Sequence, residues 1–300
     1  MFLNNFFEAR ANNMCEGIYH GSPEYFSCIT SLFMFSFGVL GLFFSKSPLH
    51  LIKTLHTLLI LNGIGSFGHH WMMTIGWKIV DNITIFLALW ISGYIFINEI
   101  INKIYKKYKY GILATSIKIN TITGMMNILF SSIALMGCLM IIDSDTNDLL
   151  SIHRLLPVLF GIPLFIISTC YFVMRYSTHQ PSCSEFDSIH MFNNAQIFHA
   201  FSVLFIGTSL CVVFTSADQI VEIYCPEVNN QWLRFLGIHG LWHFAISIGL
   251  YMISQFLVFI STVDGDQISG NFVIYSSRYD RCNQFLNLMV PIVTYDDNLY

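Results

Sequence analysis

Apolar runs long enough to cross a lipid bilayer recur along this chain of 300 residues, and they constrain its fold more than any other feature. A helix needs about 20 mostly apolar residues to cross a hydrocarbon core of roughly 30 Å. Seven runs approach this length, at residues 25–44, 51–75, 80–97, 121–142, 155–173, 197–217 and 235–262. The sequence therefore predicts an all-α, polytopic integral membrane protein with seven transmembrane helices.

The scarcity of charge supports a membrane protein. Only 11% of the residues are charged and 54% are hydrophobic, whereas a soluble domain carries roughly 25% charged residues. The net charge of -4 gives no indication of a nucleic-acid partner, and nothing in the sequence indicates a protein partner. Residues 1–24 contain no apolar run of the length that a signal peptide needs. We expect an extramembrane segment at 1–24, a transmembrane domain at 25–262 and a cytoplasmic tail at 263–300.

The distribution of Lys and Arg predicts the orientation, because these residues stay cytoplasmic in short loops. One set of flanks, which includes the C-terminal tail, holds ten of the 14: Lys46, Lys53, Lys103, Lys106, Lys107, Lys109, Lys118, Arg175, Arg278 and Arg281. The other set holds Arg10, Lys78, Arg154 and Arg234. We therefore expect the N-terminus outside or in the lumen and the C-terminus in the cytoplasm.

Two histidines in the last predicted span form the sharpest motif, HGLWH, from His239 to His243. A spacing of four residues puts both imidazoles on one helix face. Imidazoles so placed can share one zinc ion at about 2.0–2.1 Å from each nitrogen. The alternative is a pair of histidines that only pack helices together.

The second predicted span contributes GSFGHH, from Gly65 to His70. Ser66 and His70 are also four residues apart, so hydroxyl and imidazole share a face, and His69 points about 100° away. A third imidazole would leave the fourth position of zinc open for water, as in catalytic sites. His69 is an alternative to His70 as that ligand. A polar patch that packs spans together would also explain these residues.

Asp81 opens the third predicted span, about 16 Å from His70 if the two lay on one continuous helix. Gly76 permits a turn that would bring the carboxylate back beside the imidazoles. With the predicted orientation, His70, Asp81, His239 and His243 then all lie toward the N-terminal side of the membrane. His56 and His199 fall nearer the other face and are left out of the predicted site.

Taken together, these motifs resemble the alkaline ceramidase family, within the wider group of seven-span metal hydrolases. The resemblance rests on Ser66-x-x-x-His70, Asp81 eleven residues later, His239-x-x-x-His243 in the last span, and CEGIY at 15–19. It implies that His70, His239 and His243 bind zinc, with Ser66 and Asp81 beside the metal. It also implies cleavage of ceramide, as a membrane lipid substrate, to a sphingoid base and a fatty acid, with an endomembrane location in the ER or Golgi.

The resemblance further implies a calcium site in the N-terminal segment, where this chain departs from the family. Glu16 is kept, but Asn13, Met14 and Ile18 replace an acidic residue, a Trp and an Asn. A further acidic residue would align with Ser27, although Glu24 is close. Because calcium takes several oxygen ligands, we expect this site to be weakened.

Two other functions fit the same residues. One is a seven-span receptor of the adiponectin and progestin type, which is similar in its zinc site but is expected to keep its N-terminus cytoplasmic. The other is a membrane protein that binds metal, or packs its helices through histidines, without catalysis.

The predicted orientation also suggests a disulfide. Cys15 and Cys225, two of eight cysteines, are each the only one in their segments on the non-cytoplasmic side, where disulfides persist. We therefore predict a bridge between them, with two free thiols as the alternative.

Overall fold

The computed structural model describes residues 23–45, 50–109, 116–144, 161, 165–166, 188–223, 238–264, 267–268, 270–272 and 293–295. Within these ranges lie six helices: α1 (Tyr25–Phe44), α2 (His50–Met72), α3 (Ile75–Lys109), α4 (Ser116–Ser144), α5 (Ser188–Ile223) and α6 (Ile238–Thr262). They coincide with predicted spans one to four, six and seven. Nearly all of the fifth predicted span, 155–173, lies outside the described residues.

Four of the described helices contain segments long and apolar enough to cross a membrane: Tyr25–Phe44, Ile75–Glu99, Phe198–Asp218 and His239–Ser261. A shorter apolar segment, Asn127–Ile142, lies in α4. Helix α2 is long enough but less apolar, because it carries His56, Asn62, Ser66, His69 and His70. This composition and the helical architecture indicate a helical membrane protein.

The described residues after α6 form four short strands. Strand β1 (Val263–Asp264) pairs antiparallel with β2 (Gln267–Ile268), and β3 (Gly270–Phe272) pairs antiparallel with β4 (Val293–Tyr295). The region predicted as a cytoplasmic tail therefore includes two small strand pairs. They do not alter the helical class of the fold.

Helix α6 is the centre of the bundle. It packs against α5, α1, α3 and α2, and 89% of its apolar segment is buried, against 39% for α1. The side chains from Phe256 to Phe259 are completely buried. A helix that is apolar on all sides belongs in such an interior. The motif at the start of α6 is therefore held by neighbours on several sides.

Glycines allow the helices to approach closely. A Cβ atom on Gly249 of α6 would lie 2.7 Å from the carbonyl oxygen of Gly207 on α5. In the same way, a Cβ atom on Gly207 would lie 2.9 Å from the carbonyl oxygen of Gly249. Small residues at such crossings are typical of membrane helices, whose association depends on close packing. Gly63 of α2 has the same role against the backbone of α1.

We predict that Gly63→Ala destabilises the protein, whereas Gly124→Ala does not. Alanine is favoured over glycine in a helix by about 1 kcal/mol. At Gly63, however, the new methyl would lie 2.5 Å from the Phe35 backbone nitrogen, whereas at Gly124 it would meet nothing within 4 Å. Overpacking typically costs about 1–3 kcal/mol.

Thermal unfolding in detergent, followed by intrinsic fluorescence, measures the difference. The Gly63→Ala midpoint should fall by several degrees, and the Gly124→Ala midpoint should stay or rise. Equal midpoints for the two variants would contradict the close α1–α2 contact.

Candidate metal centre

Three imidazoles converge where the end of α2 meets the start of α6. The ring centroid of His70 lies 5.0 Å from that of His239 and 5.0 Å from that of His243. The rings of His239 and His243 are 4.6 Å apart. One ligand nitrogen from each of the three lies within 4.8 Å of the others. The four-residue spacing in α6 thus puts two rings on the face that meets α2.

The donor set fits a zinc ion. Nε2 of His70 and Nε2 of His243 are 3.0 Å apart, close to the roughly 3.3 Å that separates two nitrogens on a tetrahedral zinc. His70 and His243 are fully buried. Two ring nitrogens facing each other in an interior satisfy one another only if one carries a hydrogen, whereas a cation can accept both lone pairs. His70, His239 and His243 could therefore hold a metal ion.

Glu24 holds the first of these rings. It is the residue before α1, it is fully buried, and its Oε2 lies 2.5 Å from Nδ1 of His70. Because an ionised carboxylate only accepts hydrogen bonds, Nδ1 is the donor and Nε2 keeps its lone pair. The Glu24 amide also donates to the carbonyl oxygen of His70 at 3.2 Å. The start of α1 is thereby attached to the end of α2.

Asp218 of α5 holds the second ring. Its carboxylate oxygens lie 3.1 and 3.2 Å from Nδ1 of His239. Trp242 stacks on the same imidazole, with centroids 5.2 Å apart and planes 17° from parallel, and its indole nitrogen donates to Thr215 Oγ1 at 2.9 Å. A carboxylate on the outer nitrogen of a metal-binding histidine is the usual supporting arrangement.

Asp81 lies beside the cluster. Asp81 offers a carboxylate oxygen, and His69 and His70 each offer a ring nitrogen. These three atoms lie within 4.8 Å of one another. Asp81 Oδ2 is 3.1 Å from Nδ1 of His69. On the other side, the Asn62 amide donates to Asp81 Oδ1 at 2.9 Å and to the Asp81 carbonyl at 2.8 Å. The carboxylate is thus held between two side chains of α2.

The turn that returns Asp81 to the imidazoles does not lie at Gly76. Helix α2 ends at Met72 and α3 begins at Ile75, so Gly76 is already helical. Met73 adopts a positive φ of 53°, which reverses the chain within two residues. The start of α3 at Ile75 also moves Asp81 from the first residues of the span into the second helical turn.

Ser66 lies on the same side of α2 as His70. Its Oγ is 3.4 Å from Nε2 and 3.5 Å from Nδ1 of His243, so the hydroxyl lies against the ring between its nitrogens. Ser31 of α1 donates to Ser66 Oγ at 2.9 Å. The structure therefore brings together all five residues of the predicted site.

A family model described as Ceramidase matches residues 10–282. The chain belongs to the ceramidase family. Comparisons with curated proteins and with solved structures gave no match. The match confirms the family that the sequence motifs predicted. Membership of the ceramidase family supports the interpretation of this protein as a hydrolase that acts on the amide bond of a membrane lipid.

Some predictions for this ceramidase-family protein concern residues outside the described ranges. Glu16, Cys15 and Cys225 are among them, so the calcium site and the disulfide stay predictions. The described ranges contain the buried Cys28 and Cys211 and the half-buried Cys138, and none of these three forms a disulfide there.

The sequence motifs did not identify three residues that support the candidate site. Glu24 was considered only as a neighbour of a calcium-binding position, yet it contacts His70. Asp218 was missed because the predicted span ended at 217, whereas α5 continues to Ile223. Asn62 lies in the second predicted span, outside the motifs that predicted the site. A polar residue within an apolar run or directly after it is the sequence signal that could have found Asn62 and Asp218.

Proposed function

We propose that this protein is an intramembrane zinc-dependent hydrolase that cleaves ceramide to a sphingoid base and a fatty acid. The observation that supports this most strongly is the convergence of three imidazoles, two of which donate from their outer nitrogens to carboxylates. Such carboxylate–histidine pairs are typical of metal sites. The family supplies the amide substrate.

The charge around the imidazoles favours a divalent cation. Glu24, Asp81 and Asp218 are all buried, with exposures of 0%, 7% and 5%. Each accepts a hydrogen bond from an imidazole. Buried carboxylates are costly without nearby positive charge. A zinc ion bound by the imidazoles would offset two of these three negative charges, so that no basic side chain is needed inside the helical bundle.

The reaction we propose is hydrolysis of the amide C–N bond. His70, His239 and His243 would hold the zinc ion, which would supply Lewis acidity to the amide carbonyl and to a water molecule. Asp81 accepts a proton as water forms the new C–O bond, and then passes it to the leaving amine as the C–N bond breaks. The Ser66 hydroxyl donates a hydrogen bond to the oxygen on which negative charge develops. The products are a carboxylic acid and an amine.

Exposed aromatic residues next to the site support a lipid substrate. Tyr25 follows Glu24, Trp71 follows His70 and Phe244 follows His243, with side chains 61%, 48% and 40% exposed. The rings of Tyr25 and Trp71 meet edge to face at 6.1 Å. In a membrane such side chains contact lipid or its interface. A lipid amide could therefore approach the imidazoles from the bilayer, with its two chains among the helices.

A receptor of the adiponectin and progestin type and a non-catalytic metal protein are the alternatives. Metal analysis and an amide-hydrolysis assay on purified protein, with a panel of ceramides, separate the three possibilities. A hydrolase binds zinc and turns over at least one ceramide. Zinc without turnover on the whole panel would favour the alternatives.

We predict about one zinc ion per chain, with much of it lost in His243→Ala, because removal of one of three ligands weakens the site. Metal analysis of the purified variant measures this. Full zinc retention would refute the ligand set.

His69→Ala and His70→Ala form a matched pair, since the two residues are adjacent and only one is assigned to zinc. His70→Ala should lose zinc, and His69→Ala should keep it. The reverse result would exchange their roles.

We predict that Asp81→Asn abolishes most hydrolysis while zinc stays bound. Asparagine keeps the shape of the side chain but cannot take the proton, and a general base is typically worth 10²–10⁴-fold in rate. Turnover of a ceramide substrate and zinc content are measured on the same preparation. Ser66→Ala should be milder, because it removes only one hydrogen bond. Near-normal turnover of Asp81→Asn would exclude Asp81 from the reaction.

We also propose the seven-span topology with a non-cytoplasmic N-terminus. If the protein has this topology, we expect a disulfide between Cys15 and Cys225. The bridge would tie the N-terminal segment to the segment that precedes α6. Mass spectrometry of unreduced peptides should detect the linked pair. Free alkylation of Cys15 in native protein would contradict both the pairing and the orientation on which it depends.

A further inference from the structure

Helix α5 contributes two buried polar side chains that face the start of α6. Thr215 and Asp218 are three residues apart, which places them on one face of the helix. Their exposed fractions are only 2% and 5%. Thr215 accepts from the indole of Trp242, and Asp218 accepts from the imidazole of His239. The sequence motifs of the predicted site include neither residue of α5.

The contact with Asp218 determines which nitrogen of His239 is available. The two carboxylate oxygens lie at nearly equal distances, 3.1 and 3.2 Å, from Nδ1. The N–H therefore points at the middle of the carboxylate, and Nε2 keeps its lone pair. Trp242 covers a face of the same ring. Stacking leaves the ring free to turn within its own plane, so the contact with Asp218 sets the direction of Nε2.

His239 needs this support more than the other two imidazoles do. Its side chain is 11% exposed, whereas those of His70 and His243 are fully buried. It stands in the first turn of α6, one residue after the helix begins. Packing alone therefore restricts its ring less than it restricts a ring enclosed by several helices.

We propose that Asp218 is a positioning residue for His239, which holds the imidazole with Nε2 directed at the metal. The inference rests on the zinc site of the proposed function. It goes further by assigning a role to a residue on a helix that carries no metal ligand. Loss of such a supporting carboxylate typically weakens metal affinity by about 10–100-fold.

Asp218 is also a cleaner residue to replace than Glu24. The backbone of Glu24 bonds to the carbonyl of His70 and joins two helices, so its replacement could disturb the fold. Thr215→Val provides the matched control, because valine keeps the volume beside Trp242 and removes only its hydrogen bond from the same face of α5, while Asp218 stays in place.

The test is zinc affinity, measured on full-length protein in detergent by competition with a chromophoric chelator. Asp218→Asn should bind zinc about 10–100-fold more weakly than the unchanged protein, with the same stoichiometry at saturation. Asp218→Glu, which keeps the carboxylate, should recover part of the loss, and Thr215→Val should bind normally. Excess zinc should restore much of the ceramide turnover of Asp218→Asn.

Cobalt substitution adds a signature that does not depend on activity. The visible absorption of bound cobalt depends on the arrangement of its ligands, so Asp218→Asn should change the spectrum and Thr215→Val should not. Even if Asp218→Asn does not fold, the spectrum of Asp218→Glu still tests the contact, because a longer side chain must move the ring.

The outcomes are distinct. Absence of zinc from the unchanged protein would refute the proposed function itself. If the unchanged protein binds zinc and Asp218→Asn binds it with equal affinity, only the role of Asp218 would be overturned. Equal weakening in Asp218→Asn and Thr215→Val would also overturn it, because the effect would then reflect α5–α6 packing.

Discussion

Ionisable groups inside a bilayer must be paired, because hydrocarbon offers them no hydrogen bonds and little dielectric screening. This protein places carboxylates from three separate parts of the chain, Glu24, Asp81 and Asp218, within its helical bundle, and an imidazole contacts each of them. The pairs join α1 to α2, α2 to α3 and α5 to α6. The polar centre therefore holds the helices in register as well as forming the candidate metal site.

Apolar packing supplies the rigidity that this centre requires. Helix α6 is enclosed by its neighbours along most of its length, and close contacts between Gly207 and Gly249 keep α5 against it. Asp218 can reach His239 only because these two helices lie so near each other. The packing deeper in the bundle thus determines a hydrogen bond at its end.

The sequence predicted the helices well because each carries its own signal. A long apolar run predicts a span whatever surrounds it, and the spacing of His239 and His243 fixes their common face. The bounds of spans were predicted less well, because polar residues such as Asp218 extend a helix once a partner satisfies them. Spacing along one helix could not reveal Glu24 as the partner of His70, since the two residues are 46 positions apart in the chain and do not share a helix. The turn at Met73 escaped prediction because a positive φ is unusual for a residue other than glycine.

The five predicted site residues lie on two groups of helices, and α1 sets the distance between them. Ser66, His70 and Asp81 belong to α2 and α3, whereas His239 and His243 belong to α6.

Helices α2 and α6 pack far more extensively on α1 than on each other. The position of α1 therefore controls how closely His70 approaches His243. At the start of α6 this contact is tight, because a Cβ atom on Gly240 would collide with the ring of Phe26 and would lie 3.2 Å from Thr30 Oγ1. A side chain at 240 would push α6 away from α1 and carry both of its histidines with it. The glycine in HGLWH thus has a structural role, since it lets the two groups of helices bring their imidazoles within reach of one ion.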